Sequence, residues 1–325
     1  MLLREGSYFI AGGAGFIGSH FTDALLASPL TRRVTVFDNF SSGREWHLAQ
    51  HAADPRLNIV RADASDVNAL AATMDGHDWV IHLASNPDIA RAAENPEIDF
   101  YRGTLLTNNV VEAMRRTGLH RLLYASGSGV YGNAGETVLA EDHAPMIPVS
   151  TYGASKLAGE ALIASYCSMF GLRACAFRFG NVVGARQTHG VGYDFLRRLA
   201  VRPRRLRILG DGRQSKPYIH VSDVLAAVFC AAEKSTAPFA VFNVAPDDAI
   251  TVTEIAGLAV ECLGLPAMPA FEYSGGPAGW RGDVPVVRLD SSRIRSLGWV
   301  PKWNSREAVR QSLQELIADD RTRRN

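Results

Sequence analysis

The sequence has almost no surplus charge: 34 lysines and arginines stand against 33 acidic residues, a net charge of +1. So small an imbalance gives no field that would steer the chain to nucleic acid or an anionic membrane. The one basic run, VRPRRLRILG at 201–210, reads as a solvated face flanking a strand. No stretch approaches the roughly 20 apolar residues of a membrane helix. The opening MLLREGSYFIAGG passes from a short apolar run straight into a glycine turn, so no leader peptide is expected. Cysteine is scarce. Cys167, Cys175, Cys230 and Cys262 lie scattered in apolar stretches without paired spacing. They read as buried free thiols of a reducing cytoplasm, not as disulfides or zinc ligands. His47 and His51 share a helix-face spacing with no carboxylate cluster beside them, so a solvated helix is expected there and no metal. Internal repeats and low-complexity linkers are absent as well.

What is present is a chain of 325 residues, 47% apolar, able to bury one large core or two joined ones. Its first half alternates β-rich runs with helical periodicity. The strand candidates are YFIA (8–11), RVTVFD (33–38), LNIVRA (57–62), WVIHLA (79–84), RLLYAS (121–126) and RACAFRF (173–179). Between them lie amphipathic stretches such as GSHFTDALLAS and LLTNNVVEAMRRTG. This alternation predicts an α/β fold with a doubly wound, mostly parallel sheet covered on both faces. A late run, FAVFNVA (239–245), offers the same sheet a further strand. After residue 180 the pattern loosens into GARQTHGVG, GDGRQSKP and SGGPAGWRGDVP, irregular segments of the sort that line clefts. The helix opening at TVTE has capping-box spacing between Thr251 and Glu254, and the closing DDRTRRN is expected to fray. The division expected is a cofactor domain over 1–180, rejoined by 220–250, and a smaller interleaved substrate domain from 181–219 and 251–325.

The first strand is followed by AGGAGFIGSH, in which Gly12, Gly15 and Gly18 form G-x-x-G-x-x-G and open a helix. Bare glycines let the backbone turn tightly and approach a pyrophosphate, while the helix start supplies N–H groups and a positive dipole end. Asp38 at the end of the second strand completes a dinucleotide signature. Its carboxylate suits two ribose hydroxyls and repels a 2′-phosphate, so NAD is expected over NADP. Asp63, after the third strand, is placed to meet the adenine or to serve as an ordinary turn aspartate.

Together GGAGFIGSH, DNFSSGR, HLAS, TNNVVEA, VYG, YGASK, RFGNVVG, YIHVSD and RGDVPVV resemble the extended short-chain dehydrogenase/reductase family, in its NAD-dependent nucleotide-sugar epimerase/dehydratase branch. The matching stretches run from the start of the chain to about residue 300. The resemblance implies a Rossmann-type NAD domain, a C-terminal substrate domain and a homodimer built on helices around 104–116 and 152–169. It also implies cofactor contacts from Phe16, Ile17, Asn39, Ser42, Gly43, Ala64, Leu83, Ala84 and Ser85.

Tyr152 and Lys156 stand one helical turn apart, on one face. A free phenol, with a pKa near 10, is too weak a base at neutral pH. A neighbouring ammonium and the positive nicotinamide are expected to lower it, so that the phenolate takes the proton of a sugar hydroxyl while the carbon gives up hydride. The resemblance distinguishes the steps after that oxidation. Dehydratases of the family carry Asp-Glu directly before VYG and decarboxylases a glutamate, whereas Ser128 and Gly129 stand there. The remaining reaction is oxidation at C4, rotation of the keto sugar and return of hydride to the other face, a 4-epimerase acting on a UDP-hexose. The epimerase-like pattern puts a hydroxyl third before the valine, and that residue is Gly127, flanked by Ser126 and Ser128. Either serine can supply the missing group, with Ser126, at the strand end, preferred. A 4-ketoreductase and a non-catalytic NAD-binding protein are the competing readings. For the sugar nucleotide the resemblance implies Asn181 and Lys216 at the diphosphate, with Tyr218 beside them. Arg281 is expected as a second phosphate ligand, Asp283 at the nucleotide ribose, and Val287 as a control on pocket size.

Overall fold

Seven of the apolar runs become parallel strands. The computed structural model describes residues 5–324, with side chains through Asp320. The strands are β1 (Gly6–Ala11), β2 (Thr31–Asp38), β3 (Leu57–Arg61), β4 (Trp79–His82), β5 (Arg121–Gly127), β6 (Arg173–Phe179) and β7 (Phe239–Val244). They assemble in the order β3-β2-β1-β4-β5-β6-β7, every neighbour parallel. All six strands expected in the first half are there, and the late run FAVFNVA joins the sheet as its edge beside β6. The sheet reverses its direction of growth between β1 and β4, which opens a crevice at the strands' carboxyl ends.

Helices α1 (Phe16–Leu26), α2 (Val67–Met74), α3 (Leu105–Thr117), α4 (Thr151–Phe170), α5 (Val191–Val201), α6 (Val221–Lys234), α7 (Val252–Leu263), α8 (Ser292–Ser296) and α9 (Ser305–Arg324) fill out the chain. One sheet face is covered by Phe21 and Leu25 of α1 with Val224 and Val228 of α6. The other is covered by Leu70 and Met74 of α2, Val110 and Met114 of α3, and Ile163 and Cys167 of α4. Because both faces are buried, β1 is buried along its whole length, whereas edge strand β3 is half-exposed. A separate apolar cluster joins α5, α7 and α9 through Phe195, Ile255 and Leu313.

Local signals account for the helix ends. Ser150 caps α4, its hydroxyl accepting from the Gly153 N–H at 3.1 Å. The capping box of α7 forms between Thr251 and Glu254. The residues expected to fray continue α9 to Arg324; residues 1–4, Asn325 and the side chains from 321 onward lie outside the described residues. The arginines of the basic run are exposed on the approach to and along the strand at 205–208, as expected of a solvated face. His47 and His51 differ from expectation. They lie on two 3₁₀ turns, with His47 fully buried against the Ala14 carbonyl and His51 paired with Asp23 at 2.7 Å. Burial lowers the His47 pKa to about 4, so a neutral ring packs where a solvated one was expected. All four cysteines are free, two of them buried.

Candidate active site

The carboxyl ends of β1, β2, β4, β5 and β6 line one cleft of about 700 Å³. Its first half is built from backbone. Gly12 sits at φ +84°, and a β-carbon there would lie 2.7 Å from the Ala84 amide nitrogen. A β-carbon on Gly18 would overlap the Gly12 carbonyl and lie 2.6 Å from Cα of Gly13, so α1 comes this close to the turn only without side chains. Gly15 caps α1 with no side chain, leaving the first-turn N–H groups without a protein cap where Phe16, Ile17 and Gly18 line the cleft. Asp38 lines it too, its oxygens accepting from Ala14 N–H at 2.9 Å and Phe40 N–H at 2.8 Å. Burial pushes its pKa up, against those two bonds. Each oxygen accepts more than one hydrogen bond, so a turn-capping Asp38 still has lone pairs for ribose hydroxyls. This set fits a dinucleotide.

Asp63 is held below the usual carboxylate range despite partial burial, by Ser65 N–H, Arg102 at 2.7 Å and Asn39 at 2.7 Å. Asn39 therefore acts as a brace for Asp63 while lining the cleft. Ser42, Ala64, Leu83, Ala84 and Ser85 line it too. Gly43 does not: it packs under Ala14, where a β-carbon would lie 2.8 Å from that of Ala14.

Tyr152 and Lys156 meet at the centre. The Lys156 ammonium is 3% exposed, donates to the Ala125 carbonyl at 2.8 Å and lies 5.5 Å from the centre of the Tyr152 ring. Burial lowers its pKa to about 8, against the Asp99 and Glu160 carboxylates. Tyr152 departs from expectation in the protein alone: burial pushes it up to about 12, with Asp99 adding and the Ser85 hydroxyl opposing. The ammonium donates to the Ala125 carbonyl, and dehydration of the phenolate is the largest influence on Tyr152.

Ser126 and Ser128 both line the cleft and differ in their partners. Ser126 is 4% exposed and its hydroxyl donates to Glu160 at 2.5 Å. Glu160 in turn pairs with buried Arg178 at 2.7 Å, so Ser126 is tied to an ion pair while it lines the cleft. Ser128 opens a 3₁₀ turn, lines the cleft and has no hydrogen-bond partner for its side chain among the described residues. Gly127 between them is extended, and a β-carbon there meets nothing within 4 Å.

The second half of the cleft carries Asn181, Lys216, Asp283 and Val287. Lys216 and Asp283 are joined at 2.6 Å, and Asp283 also accepts from Gly279 N–H at 3.0 Å. Two residues expected as separate ligands are thus each other's partners. Tyr218 is buried behind Asn181, which hydrogen-bonds its hydroxyl, and does not reach the cleft. Arg281 is exposed and outside the cleft; its neighbour Trp280 lies inside. Sequence reasoning missed Trp280 and His189, which come from irregular segments, and Arg91 and Arg102, which lie on a 3₁₀ turn and on the π-helical turn before α3, too short for a periodicity to fix their direction. Among the described residues no group of three or more His, Cys, Asp or Glu is placed to hold a metal, and no helix is long and apolar enough to cross a membrane.

The profile of the NAD dependent epimerase/dehydratase family matches residues 8–245. A putative UDP-glucose 4-epimerase of Methanocaldococcus jannaschii is 28% identical, over 96% of this chain and 99% of its own. A dTDP-glucose 4,6-dehydratase of an Actinoplanes species is 31% identical, over 94% of this chain and 95% of its own. A crystal structure of a UDP-galactose 4-epimerase superposes with a TM-score of 0.85 at 36% identity, covering 97% of this chain and 99% of the other.

Proposed function

The chain belongs to the NAD-dependent epimerase/dehydratase family, and from that premise we propose that it is a nucleotide-sugar 4-epimerase acting on a UDP-hexose. The observation that carries the reading is the buried Tyr152–Lys156 pair, set between the glycine turn and the half of the cleft that holds Asn181 and Lys216. Bound against that turn, NAD supplies the chemistry of hydride acceptance and return. Tyr152 takes the proton of the C4 hydroxyl as that carbon is oxidised and restores it after the 4-keto sugar has turned over. Lys156 places positive charge beside the phenol and keeps it in a dry site. Ser128 hydrogen-bonds the reacting oxygen in place of the side chain that Gly127 lacks. Asn181 and Lys216 hold the diphosphate.

The dehydratase relative makes elimination the second reading, and the carboxylates weigh against it. Among the described residues, the only ones lining the cleft are Asp38, Asp63 and Asp283, each already engaged. Those nearest the reactive pair, Asp99 and Glu160, are buried and bonded to Thr151 and Asn86 or to Arg178. None is free to act on C5 or C6. We further propose a cytoplasmic homodimer that pairs through α3 and α4, with Phe100, on the turn leading into α3, 56% exposed and Met169, near the end of α4, 71% exposed. Incubating the purified protein with UDP-glucose, UDP-galactose and their N-acetylated and uronic counterparts, with products read by NMR, tests the activity. Interconversion at C4 is expected; release of water to a 4-keto-6-deoxy sugar would replace this reading with dehydration.

A further inference from the structure

Among the described residues only Phe40 and Arg186 combine a side chain with a positive φ, and Arg186 stands at +64°. A β-carbon disfavours that conformation, so its neighbours must hold it there. They grip the dipeptide Ala185–Arg186 from two sides. From α9, Glu315 accepts from the Ala185 N–H at 2.9 Å and Asp319 from the Arg186 N–H at 3.1 Å. From α1, His20 donates to the Ala185 carbonyl at 2.9 Å, and Asp23 pairs with the Arg186 guanidinium. The guanidinium also donates to the His47 carbonyl at 3.3 Å, and the buried His47 ring donates in turn to the Ala14 carbonyl at 2.7 Å. One side chain thus reaches the glycine turn by two routes, through the helix that the turn opens and through His47.

The stretch that carries this joint lines the cleft at both ends, with Asn181 and Val182 before it and Gln187, Thr188 and His189 after it. Between them the chain is pinned at Gly184, where a β-carbon would lie 2.6 Å from the Val221 side chain. Stretch 181–189 is therefore carried on a strained joint whose side chain is anchored to the cofactor turn. We propose that Arg186 is a positioning residue that registers this stretch, Asn181 included, against the cofactor turn. The proposed reaction demands such register. Hydride must leave C4 and return across one fixed gap, and a misplacement of about 1 Å costs on the order of a hundredfold in rate. The same tie couples the two ligands, because a sugar nucleotide that settles stretch 181–189 settles the glycine turn through Arg186.

The inference rests on the nucleotide-sugar reading, so the test separates the two. Release of NAD from the loaded enzyme is followed with and without saturating UDP, in the wild type, Arg186→Gly and Asp23→Asn. Melting temperature and UDP affinity by calorimetry serve as checks. Glycine suits the positive φ, so Arg186→Gly removes the tie without straining the joint. UDP is expected to tighten NAD on the wild type, slowing its release by about fivefold or more. In either variant UDP should still bind, but the slowing should vanish, and kcat should fall about tenfold with KM little changed. The double variant should lose no more than the worse single one, because both substitutions remove the same ion pair. Unaltered slowing in folded Arg186→Gly, or no slowing in a wild type that binds UDP, would overturn the register. A lower melting temperature with slowing and kcat intact would leave Arg186 a purely structural residue and overturn it too. Failure of folded wild-type enzyme to bind UDP or dTDP would remove the nucleotide-sugar reading, and this inference with it.

Discussion

The two halves of the cleft are built on different physics. Around Gly12, Gly15 and Gly18 the wall is backbone, and its carboxylate, Asp38, is held by two main-chain N–H groups. Around Tyr152 the wall rests on buried charge: Lys156, with Glu160, Arg178 and Asp99 behind the lining, all under 5% exposed. The first arrangement uses groups the fold must leave unpaired anyway, at the start of a helix. The second holds ionised side chains out of water, which costs stability unless each finds a partner. Binding geometry is thus inexpensive in this molecule and reactivity is not.

The largest test of that contrast is Glu160→Gln. Among the described residues Glu160 is the only carboxylate paired with Arg178, and it also accepts from Ser126, so its loss strands a buried guanidinium. Stability measured by urea unfolding should fall by about 3–5 kcal/mol. A loss below about 1 kcal/mol would mean that the charge beneath the catalytic half is not held as tightly as the geometry implies.

Lys156 sharpens the same contrast through pH. Burial lowers its folded pKa from 10.5 to about 8, so between these values the unfolded chain binds more protons than the folded one. Stability therefore gains with rising pH across that window, by on the order of 3 kcal/mol, and the gain is lost as pH falls back from 10.5 to 8. Near pH 10 Tyr152 begins to oppose it, because the unfolded phenol ionises while the folded one, pushed up to about 12, does not. Relative to Lys156→Met, the wild type should grow more stable from pH 8 to 10. Parallel curves would show that Lys156 is not dehydrated.

Tyr152→Phe removes the hydroxyl proposed to move the proton and leaves the backbone half untouched. Turnover should drop at least about a hundredfold while NAD stays bound. Near-normal turnover in a folded, NAD-bound variant would take Tyr152 out of the chemistry.

The same difference decides what could be read from the sequence. The seven strands, the glycine turn, Asp38 and the Tyr152–Lys156 spacing were legible because each is a backbone period or a fixed local offset. Which partner a side chain chooses is not local. Asp283 and Lys216, 67 residues apart, neutralise each other, and Ser126 finds Glu160 34 residues away. Arg281 and Trp280 are adjacent in sequence, and only the path of an irregular turn decides which of them enters the cleft. The rise in the Tyr152 pKa belongs to burial as well, which no motif spells out.

The smallest expected effect is also the most discriminating. Ser126 and Ser128 flank a glycine, and only Ser126 has a side-chain partner among the described residues. Ser126→Ala deprives buried Glu160 of a donor, so it should lower stability by about 1–3 kcal/mol and leave turnover of the folded enzyme near normal. Ser128→Ala removes a hydroxyl with no partner among the described residues, so stability should hold and turnover fall about tenfold. Gly127→Ser adds a third arm. The backbone there is extended, open to any residue, and the new β-carbon enters empty space. Placed in the Ser128→Ala background, it should recover most of the lost turnover, because the hydroxyl then approaches the reacting oxygen from the adjacent position. If Ser126→Ala slows turnover and Ser128→Ala does not, the buried serine acts through Glu160 and Lys156. Catalysis would then run through the network beneath the strand end and not through the face that meets the sugar.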